Sequence, residues 1–361
     1  MDEKPILLVR DQIDSIDKEI VKLLGQRAQC ALEIGKAKQE AGIPRFDPAR
    51  ERAVISGRVN GHGGPLPKAA LKFIFTEIIS ACRELQAPTS VSCLGPEATF
   101  SHLAAQEYFG QSCTFLPRDS IADVFREVER GQADYGVVPV ENSSEGAVGL
   151  TLDQLAVSEL KICGEICRKI SHALISREKD LADIKHVLSH PQALAQCRGW
   201  LARHLPGIPT VQMSSTSAAA KRALEESGTA ALGSDMLAWR YGLEVLARDI
   251  QDWSQNMTRF LVLGKGECPA TGQDRTSIVF ATPHRPGALA NALTFLADYN
   301  INLTRIESRP SKETPWHYVF FIDFDGHISD DPVKAAMEKL ARSVEKLKLL
   351  GSYPVAEMSG D

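Results

Sequence analysis

Two kinds of polar constellation in this sequence could do chemistry. The first is a pair of cations on an apolar helical stripe. Residues 6 to about 41 contain no proline and repeat Val9, Ile13, Ile16, Ile20, Leu23, Ala31 and Ile34 at helical spacing, and Arg27 and Lys38 fall on the same stripe. Eleven residues apart, they point within about 20° of one another and lie roughly 16 Å apart along the axis. Their neighbours one turn away are Leu23, Leu24, Cys30 and Ala31 for Arg27, and Ile34, Gly35, Ala41 and Gly42 for Lys38, so neither has a local carboxylate. A buried cation needs a counter-charge, here either on another helix or on an anionic ligand, unless both side chains snorkel to the surface.

The second kind is a set of polar turns beside short apolar strands. Asp134-Tyr135-Gly136-Val137-Val138-Pro139-Val140 reads as a buried strand and passes into Glu141-Asn142-Ser143-Ser144-Glu145-Gly146. Glycine and serine allow close approach of the backbone to a ligand, while Glu141 and Asn142 offer directed hydrogen bonds. The plainer alternative is a turn in which Ser143 or Ser144 caps the next helix. Gly95-Pro96-Glu97-Ala98-Thr99-Phe100-Ser101, Ser189-His190-Pro191-Gln192 running on to Gln196, Ser214-Ser215-Thr216-Ser217 as a strong N-cap, and Asn256-Met257-Thr258-Arg259-Phe260 leading into a strand have the same character.

These residues have to be positioned by three different architectures. The first helix, roughly 50 Å long, is too long for this chain to cover alone, and a partner chain is expected on it. It stops at Gly42-Ile43-Pro44; Asp47-Pro48 starts a second helix as N-cap and first-turn proline, and a third runs from about Lys68 to Gln86 with the stripe Leu71, Phe75, Ile78, Cys82, Gln86. After the linker Ala87-Pro88-Thr89-Ser90, short apolar strands alternate with helices. That pattern predicts a two-lobed α/β domain with a cleft. A glycine-rich linker from Gly264 to Arg275 precedes a βαββαβ pattern.

Composition removes several classes. The 361 residues are 43% hydrophobic and 24% charged, with 41 basic against 46 acidic and a net charge of −5, which suits two or three ordinary globular domains and not a nucleic-acid binder. No apolar run is long enough for a membrane helix and no signal peptide is expected, so the reading is cytoplasmic. The eight cysteines have no C-x-x-C pair and the nine histidines no ligand spacing; reduced thiols and no metal site follow.

The three-helix segment with these polar residues resembles the helical chorismate mutase family. The resemblance implies that Arg27 and Arg10 of the partner subunit hold the substrate carboxylates, with Arg50 ordering the site. Lys38 and Gln86 would bond the ether oxygen, Glu51 would take the ring hydroxyl, and Asp47 would sit beside it. Cys82 stands where that family often has serine, which predicts a weaker contact there. Residues 91–264 resemble prephenate dehydratase through G-P-x-x-T-F-S, V-V-P-V-E-N-S-x-E-G, S-H-P-Q-A-L-x-Q and N-x-T-R-F. By that resemblance Thr258 helps the substrate hydroxyl leave, within reach of Asn142, Ser189 and Gln196, while Arg259 pairs with a carboxylate and Glu141 orients the cluster. The C-terminal pattern resembles an ACT regulatory domain, with Gly287-Ala288-Leu289-Ala290 after its first strand and Glu307-Ser308-Arg309-Pro310 after its second. Together these motifs would form a phenylalanine site between two such domains, and Ala290 stands where valine is more usual.

The whole resembles the P-protein family, with a mutase domain over residues 1–87, a dehydratase domain over 91–264 and an ACT domain over 275–356. It implies conversion of chorismate to prephenate and of prephenate to phenylpyruvate without a cofactor, feedback inhibition by L-phenylalanine, and a homodimer or higher oligomer. The competing class is a cytoplasmic small-molecule binding or sensing protein, whose two-lobed cleft would need no chemistry.

Overall fold

The computed structural model describes residues 4–42, 46–253, 255–311 and 317–356. The chain divides into two units, one of residues 1–89 with 107–114 and one of 90–106 with 115–361. In the first, α1 (Lys4–Glu40), α2 (Pro48–Asn60) and α3 (Lys68–Glu84) form as the spacing predicts. The Ile43-Pro44 stop lies outside the described residues, but Gly42 already turns left-handed at φ +65°. Asp47 caps α2 by accepting from the Arg50 amide at 2.9 Å, with Pro48 in the first turn. Every residue of α1 from Ile6 to Gln26 is exposed, Ile13, Ile16 and Ile20 by 50, 57 and 47%.

The chain continues through β1 (Ser90–Leu94), α4 (Phe100–Phe109), β2 (Thr114–Arg118), α5 (Ile121–Glu129), β3 (Tyr135–Asn142), β4 (Gly146–Ala147), α6 (Gly149–Val157) and β5 (Lys161–Lys169). It enters a second lobe with β6 (Ala173–Ser176), β7 (His186–Ser189), α7 (Pro191–Gln196), α8 (Arg198–His204), β8 (Thr210–Gln212), α9 (Thr216–Glu225), β9 (Thr229–Gly233), α10 (Asp235–Tyr241) and β10 (Glu244–Ala247). It returns to the first lobe with β11 (Met257–Gly264). The two mixed sheets have orders β2-β1-β3-β11-β5 and β10-β6-β9-β7-β8. The four-residue strands β6 and β10 lie beyond what the sequence pattern predicts.

Then follow β12 (Asp274–Ala281), α11 (Ala288–Asp298), β13 (Leu303–Pro310), β14 (Tyr318–Asp325), α12 (Asp331–Ser343) and β15 (Lys346–Pro354), an antiparallel sheet in the order β13-β14-β12-β15. One face of this sheet packs Ile278, Phe280, Ile322 and Phe324 under α11 and α12. The other contributes Val279, Phe321, Leu350 and Tyr353 to the same core as Val138, Val140, Leu261 and Leu263 of the first lobe.

Three local readings change. The Ser143–Glu145 turn is a β-hairpin, with Asn142 opposite Gly146 at φ +82°, and neither serine caps α6, whose N-cap position is Val148 and which has no side-chain cap. Thr258 and Arg259 lie inside β11, and Glu307 to Pro310 lie inside β13. In each case cross-strand pairing extends regular structure into residues that look like loop from composition alone.

Candidate active sites

In the helical unit the turn that follows α3 closes on α1 at Gly35: a Cβ there would come within 2.8 Å of Gln86 Cγ. Gln86 Oε1 is buried with no hydrogen-bond partner among the described residues. Arg27, half-buried on α1, directs Nη1 to the Ile78 carbonyl at 3.5 Å. Lys38 and Asp47 both lie within electrostatic reach of Glu51. Arg83, on α3, is absent from the sequence reading. It is 4% exposed, pairs with both Glu51 oxygens at 2.8 and 2.9 Å, donates to the Phe109 carbonyl and lies 4.9 Å from the Phe46 ring centre. Burial would lower the Arg83 pKa, but Glu51 and Cys113 raise it on balance. The Glu51 carboxylate therefore already has a cation. Arg10 and Arg50 are exposed, and Arg10 lies about 25 Å along α1 from Arg27. Cys82 is buried.

In the second unit one cavity of about 440 Å³ lies between the two lobes. Four separate sequence motifs meet on its wall: Gly95, Thr99, Phe100 and Ser101; Asn142; His190, Gln192 and Gln196; Thr258 and Phe260. Ser214, Ser215 and Thr216 join them, Ser215 capping α9 through the Ala218 amide at 3.0 Å.

The orientation of each amide here follows from donors that cannot reverse. The backbone amides of Ser144 and Glu145 donate to Asn142 Oδ1 at 2.9 and 3.2 Å, so the Asn142 amino group must face the other way. There it donates to Asn256 Oδ1 at 2.9 Å and Thr258 Oγ1 at 2.8 Å. With its oxygen occupied, Asn256 donates from Nδ2 to Gln196 Oε1 at 3.1 Å, and Gln196 Nε2 donates to Glu145 Oε1 at 3.0 Å. His172 Nε2 lies 2.8 Å from the same Gln196 oxygen, so it carries the proton. Burial lowers the His172 pKa, outweighing the Gln196 bond, and so favours the neutral ring. At the other end of the chain Thr258, 8% exposed, accepts from Asn142 and keeps its own proton to donate into the cavity.

Three residues expected here are elsewhere. Side chains alternate along a strand, so if Asn142 and Thr258 face the cavity, Glu141 and Arg259 cannot. Arg259 instead donates to Asp323 Oδ2 at 2.6 Å and stands 3.8 Å from Glu141 on the opposite face of the sheet. Burial would lower its pKa, but Tyr353, Asp323 and Glu165 hold it well above its ordinary value. Ser189 is fully buried and donates to the Leu232 carbonyl of the adjoining strand at 2.7 Å. The sequence reading gives no individual site role to Asn256, His172 or Glu145. Asn256 and Glu145 belong to motifs visible in the chain, whereas nothing local marks His172.

A second cavity, about 350 Å³, lies in the C-terminal domain and is lined by Gly287, Ala288, Leu289 and Ala290 with Arg285, His317, Tyr318 and Phe320. Gly287, at φ +80°, starts α11 in a conformation suited to glycine. Glu307, Ser308, Arg309 and Pro310 do not line it, and Arg309 pairs with Asp153 of α6 at 3.0 Å.

Fold and cavities define a multidomain protein: a helical unit, a two-lobed α/β domain with a polar interlobe site, and a ferredoxin-like C-terminal domain. Residues 9–87 match chorismate mutase type II, residues 91–268 prephenate dehydratase and residues 276–342 the ACT domain. The bifunctional chorismate mutase/prephenate dehydratase of Aquifex aeolicus (strain VF5) is 46% identical over 96% of this chain and 97% of its own length. The crystal structure of prephenate dehydratase from Arthrobacter aurescens in complex with L-Phe is 38% identical, covering 74% of this chain and 90% of that one, with a TM-score of 0.69. GqqA, described as a novel type of quorum quenching acylase, is 30% identical over 74% of this chain and 98% of its own, with a TM-score of 0.68. The chain belongs to the family of bifunctional chorismate mutase/prephenate dehydratases.

Proposed function

We propose that this protein is a cytoplasmic enzyme of phenylalanine biosynthesis that rearranges chorismate to prephenate and then converts prephenate to phenylpyruvate, carbon dioxide and water, with L-phenylalanine as feedback inhibitor. The mutase reaction occupies residues 1–87, the dehydratase reaction 91–264 and effector binding 275–356. The family matches and the full-length relatives support both activities. The observation that carries the dehydratase step is the hydrogen bond from Asn142 Nδ2 to Thr258 Oγ1, which leaves the threonine proton for a ligand.

In that step the electron pair of the ring carbon–carboxylate bond enters the ring as CO2 departs, aromatises it and expels the hydroxyl. Thr258 donates a proton to the departing oxygen, which leaves as water, and solvent restores the threonine proton. A threonine hydroxyl is a poor acid in water, so it depends on the buried amide network. In the mutase step no nucleophile is needed. Lys38 and Gln86 stabilise charge growing on the ether oxygen, while Arg27 and Arg10 of the partner subunit hold the carboxylates. The exposed apolar face of α1 supports a homo-oligomer. Arg50 and Asp47, with Cys82, border that site, and Glu51 takes the ring hydroxyl while paired with Arg83. Gly287 to Ala290 supply the effector pocket in this reading, and Glu307 to Pro310 approach an effector only from a second copy.

The test is to supply purified protein with chorismate and follow products. Phenylpyruvate appearing after a prephenate lag supports both activities. Thr258→Ala should stop the sequence at prephenate, with a loss of about 10²- to 10⁴-fold in dehydratase kcat. No turnover of chorismate or of added prephenate would overturn the reading in favour of a binding protein.

A further inference from the structure

Six acidic and basic side chains gather on the face of β3 and β11 opposite the proposed dehydratase site. Glu141, Glu165 and Arg259 come from the first-lobe sheet, and Arg275, Arg305 and Asp323 from the C-terminal sheet. Asp323 is 3% exposed and Glu165 4%, so their charges are balanced by each other's partners and not by water. Arg275 holds both Glu165 oxygens at 2.8 and 2.9 Å, Arg305 stands 3.3 Å from Glu141, and Arg259 spans the two sheets with Asp323 on one side and Glu165, at 3.3 Å, on the other. Ser277 donates to the remaining Asp323 oxygen at 2.6 Å.

The placement of this cluster in sequence is as telling as its chemistry. Arg259 follows Thr258 and Glu141 precedes Asn142, and the two strands are in register, Arg259 opposite Glu141 and Thr258 opposite Asn142. The ladder has an irregularity immediately after Arg259, a point where a strand changes its aim. On the far side β14 begins with Tyr318 and Phe320 in the wall of the C-terminal cavity and carries Asp323 three residues on. Strand β12 likewise runs from Arg275 and Ser277 to Ala281, where the cavity loop starts.

We propose that Arg259 is a positioning residue: its ion pair with Asp323 ties strand β11 at Thr258 to the C-terminal sheet, and through that tie occupancy of the C-terminal cavity changes turnover in the interlobe site. A guanidinium held by one partner on each sheet and largely buried is pulled on when the C-terminal sheet shifts, and the residue preceding it along the backbone is Thr258. This rests on the dehydratase and phenylalanine reading above and supplies the connection between its two cavities.

The experiment uses Asp323→Asn in the full-length chain, since Asp323 lines neither cavity. Dehydratase kcat and KM for prephenate are measured with and without saturating L-phenylalanine, L-phenylalanine binding by calorimetry, and mutase turnover as an internal control. The wild-type effect is expected within the range of about 5- to 150-fold usual for coupled sites. Asp323→Asn should bring that factor close to one while still binding L-phenylalanine and retaining mutase turnover. A variant with the full wild-type factor overturns the inference and leaves the reading intact. A wild-type dehydratase that turns over prephenate but is indifferent to L-phenylalanine overturns the inference together with the feedback part of the reading, and leaves the dehydratase activity standing. If Asp323→Asn does not fold, Arg259→Gln, which removes the same ion pair from its other partner, is judged by the same outcomes.

Discussion

At the scale of single residues, the interlobe site works by direction more than by charge. The groups that cannot reverse are the hairpin amides at one end and the Glu145 carboxylate at the other, and the amides between them align from donor to acceptor. Asn142→Asp is nearly isosteric but replaces the donor to Thr258 with an acceptor, so the threonine would turn its proton onto the introduced carboxylate instead of the ligand. We expect loss of at least about 100-fold in dehydratase kcat with mutase turnover unchanged. Steady-state kinetics on both substrates check this, and a variant with undiminished dehydratase turnover would remove Thr258 as donor.

At the scale of elements, pairs of neighbouring secondary structures decide what a residue can reach. Gly35 lets the turn after α3 approach α1 closely enough to hold Gln86 over the helix; Gly35→Ala would place a methyl 2.8 Å from Gln86 Cγ and displace it. Overpacking of this kind costs about 1–3 kcal/mol. Mutase kcat should fall and dehydratase kcat should not, as assays of one preparation on chorismate and on prephenate would reveal. The alternation of β3 and β11 is the other case. It sends Asn142 and Thr258 to one face and Glu141 and Arg259 to the other, so adjacent members of one motif serve different partners.

At the scale of the whole molecule, α1 and the ionic cluster give separate expectations. Ile16 and Ile20 lie in an exposed apolar row on a helix of 37 residues. Replacing both, Ile16→Glu with Ile20→Glu, should reduce the sedimenting species toward the 39.4 kDa monomer and lower mutase turnover. An unchanged sedimentation profile would place the oligomer contact elsewhere. Acid should act on the second unit. Burial would raise the Asp323 pKa, but Arg259, Arg305 and Ser277 bring it below the ordinary 3.8. The folded state therefore binds this proton less readily than the unfolded one. Its stabilisation is complete above about pH 4 and declines as pH falls through the lower native value. Thermal melts between neutral pH and pH 3 should show a steeper acid limb in wild type than in Asp323→Asn.

Much of this was legible in the chain because its signals are local. The helical period of α1, the Asp47-Pro48 cap, the alternation of short strands with helices and the βαββαβ order are all properties of neighbours in sequence, and they lead to the three architectures and to the four motifs that share the cavity. Thr258, Asn142 and Gln196 could be picked out because they stand in those motifs. Tertiary structure alone decided which face each motif residue takes. Arg259 looks like a carboxylate ligand until β11 pairs with β3 and turns it toward Asp323, 64 residues further along the chain. Arg83, His172 and Asn256 owe their surroundings to residues between 24 and 114 positions away. Charge and hydrogen bonding act through space, and a sequence shows only which groups exist, not which of them a folded chain brings within about 3 Å of one another.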